Sequence, residues 1–165
     1  MTPPVTIRPV VRTDGPALVR AHIASRDMHW PWAEPFTDMA GFESWFAQTR
    51  TPRKVALLAE CTGRIAGLVN INEIVRGPFL SAYLGYHAMA GATGNGIMTE
   101  AVRLAVAHAF GPLGLHRVEA NIQPANARSR ALVQRLGFQL EGLSPRYLRI
   151  CGAWRDHERW AKLAD

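Results

Sequence analysis

The stretch from Tyr83 to Phe110 combines the residue types that bind an anion through main-chain groups. Three glycines interrupt its apolar sequence and predict a loop, at positions 91, 94 and 96. From Ile97 onward, apolar side chains recur every three or four positions, which predicts a helix with one buried face. A glycine loop that leads into a helix N-terminus presents free N–H groups at the positive end of the helix dipole. The chemistry expected over Gly94 to Met98 is therefore the binding of a phosphate group.

Two common nucleotide-binding motifs are absent from the chain. The spacing Gly91-x-x-Gly94-x-Gly96 differs from the G-x-G-x-x-G of dinucleotide-binding folds. No G-x-x-x-x-G-K-S/T sequence occurs, so the phosphate loop of the P-loop NTPases is not predicted either. The glycines alone leave two interpretations open, a phosphate site or an ordinary turn before a helix.

The composition is typical of one folded domain with a basic surface. Of the 165 residues, 48% are hydrophobic and 19% are charged, which are ordinary fractions for a globular protein. Lysine and arginine outnumber aspartate and glutamate by 19 to 13, a formal charge of +6. This excess favours an anionic partner such as RNA, a ribosomal surface or a phosphate-bearing cofactor. The basic residues are spread along the chain, so charge does not select among these partners.

The sequence predicts a cytoplasmic protein without a metal or a membrane partner. No apolar run approaches the ~20 residues that span a bilayer, and the N-terminus lacks the basic-then-apolar pattern of a signal peptide. Cys61 and Cys151 are then expected as buried thiols. No group of cysteines and histidines has the spacing of a zinc site.

The elements predicted around the glycine loop form one mixed α/β sheet domain. The first strand is expected at Val5 to Val10, followed by a helix that starts near Thr13-Asp14-Gly15-Pro16. Pro31 and Pro35 exclude regular structure from Met28 to Phe36, where two tryptophans either fix the loop to the core or line a pocket. The elements expected afterwards are a helix at 39–49, strands at 54–60, 64–74 and 79–87, the helix from 97, a strand at 115–122, a helix from Asn126 to Gly137, and two final strands divided near Cys151-Gly152.

Several motifs in this order resemble the GNAT N-acetyltransferases. Thr93-Gly94-Asn95-Gly96-Ile97-Met98 resembles the acetyl-CoA loop of that family, as do the downstream motifs Asn126-x-x-Ser129 and Leu136-Gly137-Phe138. Three further motifs resemble the ribosomal-protein-alanine N-acetyltransferases of the Rim type, namely Pro31-Trp32 with Pro35, Arg76-Gly77-Pro78-Phe79, and Gly152-Ala153-Trp154-Arg155-Asp156-His157. The resemblance covers nearly the whole chain. It implies one N-acetyltransferase domain over residues 1–165, with a mixed, largely antiparallel sheet flanked by helices.

The resemblance also implies acetyl-CoA as a co-substrate. Its pyrophosphate is expected on the N–H groups of the glycine loop, and its pantetheine arm on the end of the preceding strand. Asn126 is expected to hydrogen-bond that arm, and Ser129 to meet the sulfur. The implied cofactor-binding residues are His87, Ala88, Met89, Thr93, Gly94, Asn95, Gly96, Ile97, Met98, Asn126 and Ser129.

Acyl transfer needs groups that stabilise an oxyanion and protonate a thiolate. A strand N–H near Tyr86 or His87 could stabilise the oxyanion that the thioester carbonyl becomes. A hydroxyl of Ser129 or Tyr147 could donate a proton to the departing thiolate.

The general base is not fixed by the sequence. Some members of the resembled family carry an acidic residue where this chain has Val75. Glu73, which lies nearby in the sequence, and Glu34 are the two candidates. Trp32, Glu34 and Tyr86 are expected to contact the acceptor.

The expected reaction transfers acetyl from acetyl-CoA to a primary amine by direct attack, with the N-terminal α-amine of a protein, such as a ribosomal protein, as acceptor. An α-amine, with a pKa of about 7.7–8.0, is more readily neutral than lysine at about 10.4 and needs a weaker base. Two alternatives remain open at this point. One is acetylation of a polyamine or aminoglycoside, which needs an acidic pocket, and the other is a non-catalytic module that binds RNA or the ribosome. Either a monomer or a homodimer fits the sequence.

Overall fold

The computed structural model describes residues 2–165 and contains a seven-stranded sheet with helices on both faces. The strands are β1 (Val5–Pro9), β2 (Val55–Cys61), β3 (Arg64–Val75), β4 (Ser81–Ala88), β5 (Arg117–Ile122), β6 (Gln139–Ile150) and β7 (Ala153–Leu163). The helices are α1 (Gly15–Ala24), α2 (Arg26–His29), α3 (Met39–Gln48), α4 (Ile97–Phe110) and α5 (Ala127–Arg135), and a 3₁₀ turn at Arg12–Asp14 precedes α1. No helix among the described residues is long and apolar enough to cross a lipid bilayer.

The sheet is mixed and largely antiparallel, which confirms the predicted fold class. Its strand order is β1-β2-β3-β4-β5-β7-β6. Only β4 and β5 run parallel, and every other neighbouring pair is antiparallel. The connection between the two parallel strands is α4, as expected for a parallel pair that needs a long crossover.

Two apolar cores lie on opposite faces of this sheet. On one face, α4 and α5 pack against a core that includes Leu57 of β2. On the other face, α1 and α3 contribute Leu18 and Phe42 to a core that includes Leu58. Leu57 and Leu58 are adjacent in β2 and fall in different cores because successive side chains of a strand point to opposite faces. The same alternation governs β4, which runs through the middle of the sheet.

The parallel strands β4 and β5 separate before either one ends. Ser81–Leu84 pairs with Arg117–Ala120, but the ladder stops there. Beyond that point β4 stays paired with β3 as far as Ala88, and β5 stays paired with β7 as far as Ile122. A wedge-shaped opening therefore forms in the middle of the sheet, and we call it the β4–β5 opening.

Alternate residues of β4 direct their main-chain groups towards this opening. The carbonyl of Leu80, just before β4, accepts a hydrogen bond from Arg117 N–H of β5 at 3.1 Å, whereas Met89 N–H, just after β4, donates to Ala66 of β3 at 2.8 Å. Because the direction of N–H and C=O alternates along a strand, even-numbered residues face β5 and odd-numbered residues face β3. The main-chain groups of Tyr86 and Ala88 thus face the opening, where β5 has left.

Two local features differ from the sequence prediction. The irregular segment predicted from Met28 begins later, because α2 extends the helical region to His29. Strand β3 is not regular throughout, since its pairing with β4 shifts between Asn72 and Val75. Glu73 lies in this bulge with a φ of +49°, so its side chain does not follow the alternation of a regular strand.

Candidate active site

A cavity of about 1150 Å³ passes through the β4–β5 opening. Its walls on one side come from the glycine loop, the first turn of α4 and one face of α5. Its walls on the other side come from α1, α2, α3 and the proline-rich loop after α2. The two sides of the sheet are therefore connected through one continuous space, at the point where β4 and β5 separate.

Most of the residues expected at the site line this cavity. They are Trp32, Glu34, Tyr86, His87, Ala88, Thr93, Gly94, Gly96, Ile97, Met98, Asn126 and Ser129. Four expected residues, Glu73, Met89, Asn95 and Tyr147, are not part of its wall.

The glycine loop presents main chain to the cavity. Gly94 and Gly96 adopt left-handed conformations, with φ of +86° and +73°, which favour glycine over any residue with a Cβ. Gly96 is the N-cap of α4, and within the described chain no side chain caps this helix. The first N–H groups of α4 have no partner inside the helix and remain available to an anion.

Two arginines of α5 line the cavity beside this helix end, and neither was expected at the site from the sequence. Arg128 and Arg135 are seven residues apart, so they lie on one face of the helix. The i, i+7 spacing is visible in the sequence. It indicates an anion site only when α5 is known to lie beside the glycine loop. Both cations add positive charge near the free N–H groups.

Ser129 and Tyr86 form a hydrogen bond across the opening. Their hydroxyl oxygens are 2.5 Å apart, which joins α5 to β4. Ser129 is held in place by Asn126, the N-cap of α5, whose side chain accepts a bond from Ser129 N–H at 3.2 Å. Burial raises the pKa of Tyr86 to about 12, although the bond to Ser129 acts in the opposite direction. Tyr86 is therefore a protonated hydroxyl at neutral pH.

The structure does not bring Tyr147 or Glu73 to this pair. Tyr147 lies on β6 beside Tyr83, and its hydroxyl, together with burial, raises the pKa of Tyr83 to about 12. Glu73 lies on the surface in the β3 bulge and forms an ion pair with Arg53. The hydroxyl beside Ser129 is thus that of Tyr86, and the geometry does not support the expected catalytic roles of Tyr147 and Glu73.

The main chain of Met89 does not fit the expected pairing with a pantetheine arm. Its N–H already donates to Ala66, and its carbonyl accepts from Ala92 N–H at 3.0 Å. The main-chain groups of His87 face β3 by the same alternation, so the free strand edge consists of the main chain of Tyr86 and the N–H of Ala88, whose carbonyl accepts from His29. Asn95, which is exposed at the tip of the loop, does not line the cavity.

Three histidines, from α1, α2 and β4, line the opposite side of the cavity. His22 Nδ1 donates to the Phe36 carbonyl at 2.8 Å, and its Nε2 lies 3.0 Å from Nε2 of His87. His29 Nε2 donates to the Ala88 carbonyl at 2.8 Å. Burial lowers the pKa of His22 to about 4. Burial, with smaller effects from His22 and His29, holds the pKa of His87 well below its usual range.

The histidine side of the cavity is otherwise polar but nearly free of carboxylates. The amide oxygens of Asn70 and Asn121 are buried there and have no hydrogen-bond partner among residues 2–165. Of the described residues that line the cavity, Glu34 is the one carboxylate, and it is exposed. The proline-rich loop that carries Glu34 is tied down by Gln123, whose amide donates to the Pro31 carbonyl at 3.1 Å. In the described part of the chain, no three side chains converge in a way that could hold a metal ion.

A family comparison agrees with this architecture. The family described as Acetyltransferase (GNAT) domain matches residues 5–139. The chain belongs to the GNAT acetyltransferase family. The match includes the glycine loop, Tyr86, the three histidines and Ser129.

Two GNAT relatives are similar over part of their length. The probable N-acetyltransferase YjcK of Bacillus subtilis is 42% identical over 95 residues, which are 58% of this chain and 52% of the relative. The [ribosomal protein uS5]-alanine N-acetyltransferase of Escherichia coli is 43% identical over 93 residues, which are 56% of this chain and 48% of the relative. The chain thus matches about half the length of these curated relatives.

A solved GNAT structure is similar over almost the whole chain. Mycobacterium smegmatis RimJ in complex with CoA-disulfide superposes with a TM-score of 0.89 at 34% identity. The similarity covers 97% of this chain and 82% of the RimJ chain.

Proposed function

We propose that this chain transfers an acetyl group from acetyl-CoA to a primary amine, with the α-amine of a protein N-terminus as the acceptor. The observation that carries the proposal is the cavity through the β4–β5 opening. On one side of the sheet the cavity contains a helix N-terminus that can bind a phosphate. On the other side it forms a pocket with few carboxylates. The acetyltransferase names of relatives with this fold support the same reaction.

The cofactor half of the cavity fits the parts of acetyl-CoA in order. The N–H groups of Gly94 to Met98 donate hydrogen bonds to the pyrophosphate, and Arg128 and Arg135 add opposite charge. The pantetheine amides pair with the main chain of Tyr86 and the N–H of Ala88, in the place that β5 has left. RimJ, a relative of similar fold, was solved in complex with CoA-disulfide, which supports a coenzyme A derivative as the ligand of this cavity.

The residues at the opening then supply the groups that acyl transfer requires. A strand N–H of Tyr86 or Ala88 faces the thioester carbonyl and stabilises the oxyanion. The Tyr86 and Ser129 hydroxyls meet the sulfur, and they donate a proton to the thiolate as it leaves.

The acceptor half of the cavity favours a neutral amine over a polycation. A polyamine needs several carboxylates to compensate for the hydration that its charged amines lose on binding. Among the described residues that line the cavity, Glu34 is the one carboxylate. The unpaired oxygens of Asn70 and Asn121 suit the N–H groups of a neutral amine. An α-amine, with a pKa of about 7.7–8.0, supplies this form near neutral pH far more readily than lysine does.

The test compares acceptors in an assay of thiol release from acetyl-CoA. Peptides with free N-termini that differ in their first two residues are expected to be acetylated. The same peptides with a blocked N-terminus and one lysine, and spermine, are expected to react at least tenfold more slowly. Spermine as the preferred acceptor would reverse the assignment in favour of a small polycation. RNA association without any acetyl transfer would favour a non-catalytic module.

A further inference from the structure

The hydrogen bonds of His22 and His87 allow one arrangement of ring protons when both rings are neutral. A carbonyl only accepts, so Nδ1 of His22 carries the proton donated to Phe36. Nε2 of His22 is then an acceptor, and Nε2 of His87 is the donor across 3.0 Å. Nδ1 of His87 is left with its lone pair, and no residue among 2–165 hydrogen-bonds to it.

The surroundings of His87 keep both rings neutral near physiological pH. His22 is 1% exposed, and the titratable groups that face His87 are His22 from α1 and His29 from α2. In β3, the residue beside His87 is the apolar Leu68. Asn121 of β5 and His157 of β7 line the cavity on the remaining sides. Among these described neighbours there is no carboxylate to stabilise an imidazolium.

Strand alternation places His87 opposite the Tyr86–Ser129 pair. Tyr86 and His87 are consecutive in β4, so their side chains point to opposite faces of the sheet. Tyr86 reaches Ser129 of α5 on the cofactor side, and His87 reaches His22 of α1 on the acceptor side. The β4–β5 opening lies between them, where the thioester is expected.

The geometry points to His87 as the catalytic residue that accepts a proton from the attacking amine, with His22 as the positioning residue that fixes its tautomer. This inference rests on the proposed function. The amine lone pair forms the N–C bond to the thioester carbonyl, and one N–H proton moves to Nδ1 of His87. The C–S bond breaks, and the thiolate takes a proton from the Tyr86–Ser129 pair. The imidazolium then loses its proton to solvent while the tyrosine regains one, so protons balance over the cycle.

The first test removes the imidazole and then restores it from solution. His87→Ala is expected to lower kcat by about 10²-fold, as loss of a general base does, without changing acetyl-CoA affinity in calorimetry. Added imidazole is expected to restore part of kcat, because it supplies the missing base in the space left by the side chain. The matched control is His116→Ala, which removes an exposed histidine outside the cavity.

The second test addresses the tautomer. His22→Leu removes the acceptor for the His87 Nε2 proton and is expected to lower kcat about tenfold with little change in KM. His22→Gln provides an amide oxygen at that place and is expected to recover most of the loss. A purely structural role of His22 would not distinguish these two variants by kcat once both are shown to bind acetyl-CoA.

Each outcome supports or overturns the inference. Full kcat in His87→Ala, or a loss that imidazole does not relieve at any concentration, overturns the role of His87 while the proposed function stands. If the unaltered protein transfers acetyl to no amine, both the proposed function and this inference are overturned. A kcat loss that imidazole relieves, with acetyl-CoA affinity intact, supports it.

Discussion

At the scale of single residues, the hydroxyl of Tyr86 is expected to donate a proton to the leaving thiolate. Tyr86→Phe removes the donor that contacts Ser129, so kcat is expected to fall by about 10²-fold in the thiol-release assay. The acetyl-CoA dissociation constant is expected to stay within about twofold, because the ring still packs in its place.

Tyr147→Phe is the matched control for this change. Tyr147 lies beside Tyr83 and outside the cavity wall, so its variant is expected to keep normal kcat. The reverse result, with Tyr147→Phe inactive and Tyr86→Phe fully active, would show that Tyr147 is the proton donor.

Short-range contacts are the ones at this site that a local sequence pattern can predict. Asn126 and Ser129 are three positions apart, so an N-cap motif is enough to predict their contact. The Tyr86–Ser129 bond joins residues 43 positions apart, and the His22–His87 bond joins residues 65 apart. No local pattern predicts such pairs, because each depends on how α1 and α5 pack against β4.

At the scale of elements, the glycine loop provides main-chain donors that a side chain would cover. Gly94→Trp is expected to weaken acetyl-CoA binding at least tenfold, or about 1.4 kcal/mol, in a calorimetric titration. The new side chain also meets the strain of a φ of +86°, which costs about 1–2 kcal/mol of stability.

Gly63→Trp separates this strain from the loss of binding. Gly63 has a φ of +75° in the β2–β3 hairpin, away from the cavity. Its variant is expected to lose similar stability but to bind acetyl-CoA normally. Equal affinities for the two variants would mean that the phosphate lies elsewhere.

The order of strands and helices was predictable because turn residues and apolar periodicity mark it. The turn between the strands predicted at 54–60 and 64–74 and the break near Cys151-Gly152 both occur. The bulge around Glu73 was not, because strand periodicity assumes a regular ladder and the shift depends on the pairing with β4. Glu73, one of the two candidate bases, lies in this bulge and pairs with Arg53 at the surface.

At the scale of the whole molecule, the buried histidines should make stability depend on pH. An unfolded histidine has a pKa near 6.5, and burial lowers that of His22 to about 4. Between these values the unfolded chain binds more protons, so stability is complete above pH 6.5 and falls as the pH is lowered towards 4. The contribution of His22 is on the order of 3 kcal/mol.

Urea unfolding at several pH values measures this effect. His22→Gln is expected to flatten the dependence between pH 6.5 and 4, whereas His116→Gln, at an exposed position, is expected to leave it unchanged. The quantity compared is the slope of the free energy of unfolding against pH, because carboxylates titrate in the same pH range in every variant. Identical slopes for all three proteins would show that His22 does not stay neutral in the fold.

The opposite orientation of Tyr86 and His87 makes this part of β4 unusually sensitive to length. Loss or gain of one residue just before Tyr86 would exchange the sides on which the following residues lie, unless β4 absorbed it as a bulge. The phenol would then face His22, and the imidazole would face Ser129. Insertion or deletion of one residue here should therefore abolish turnover, even though Tyr86, His87 and their partners are all still present. Changes of length in the β6–β7 turn should be tolerated far better.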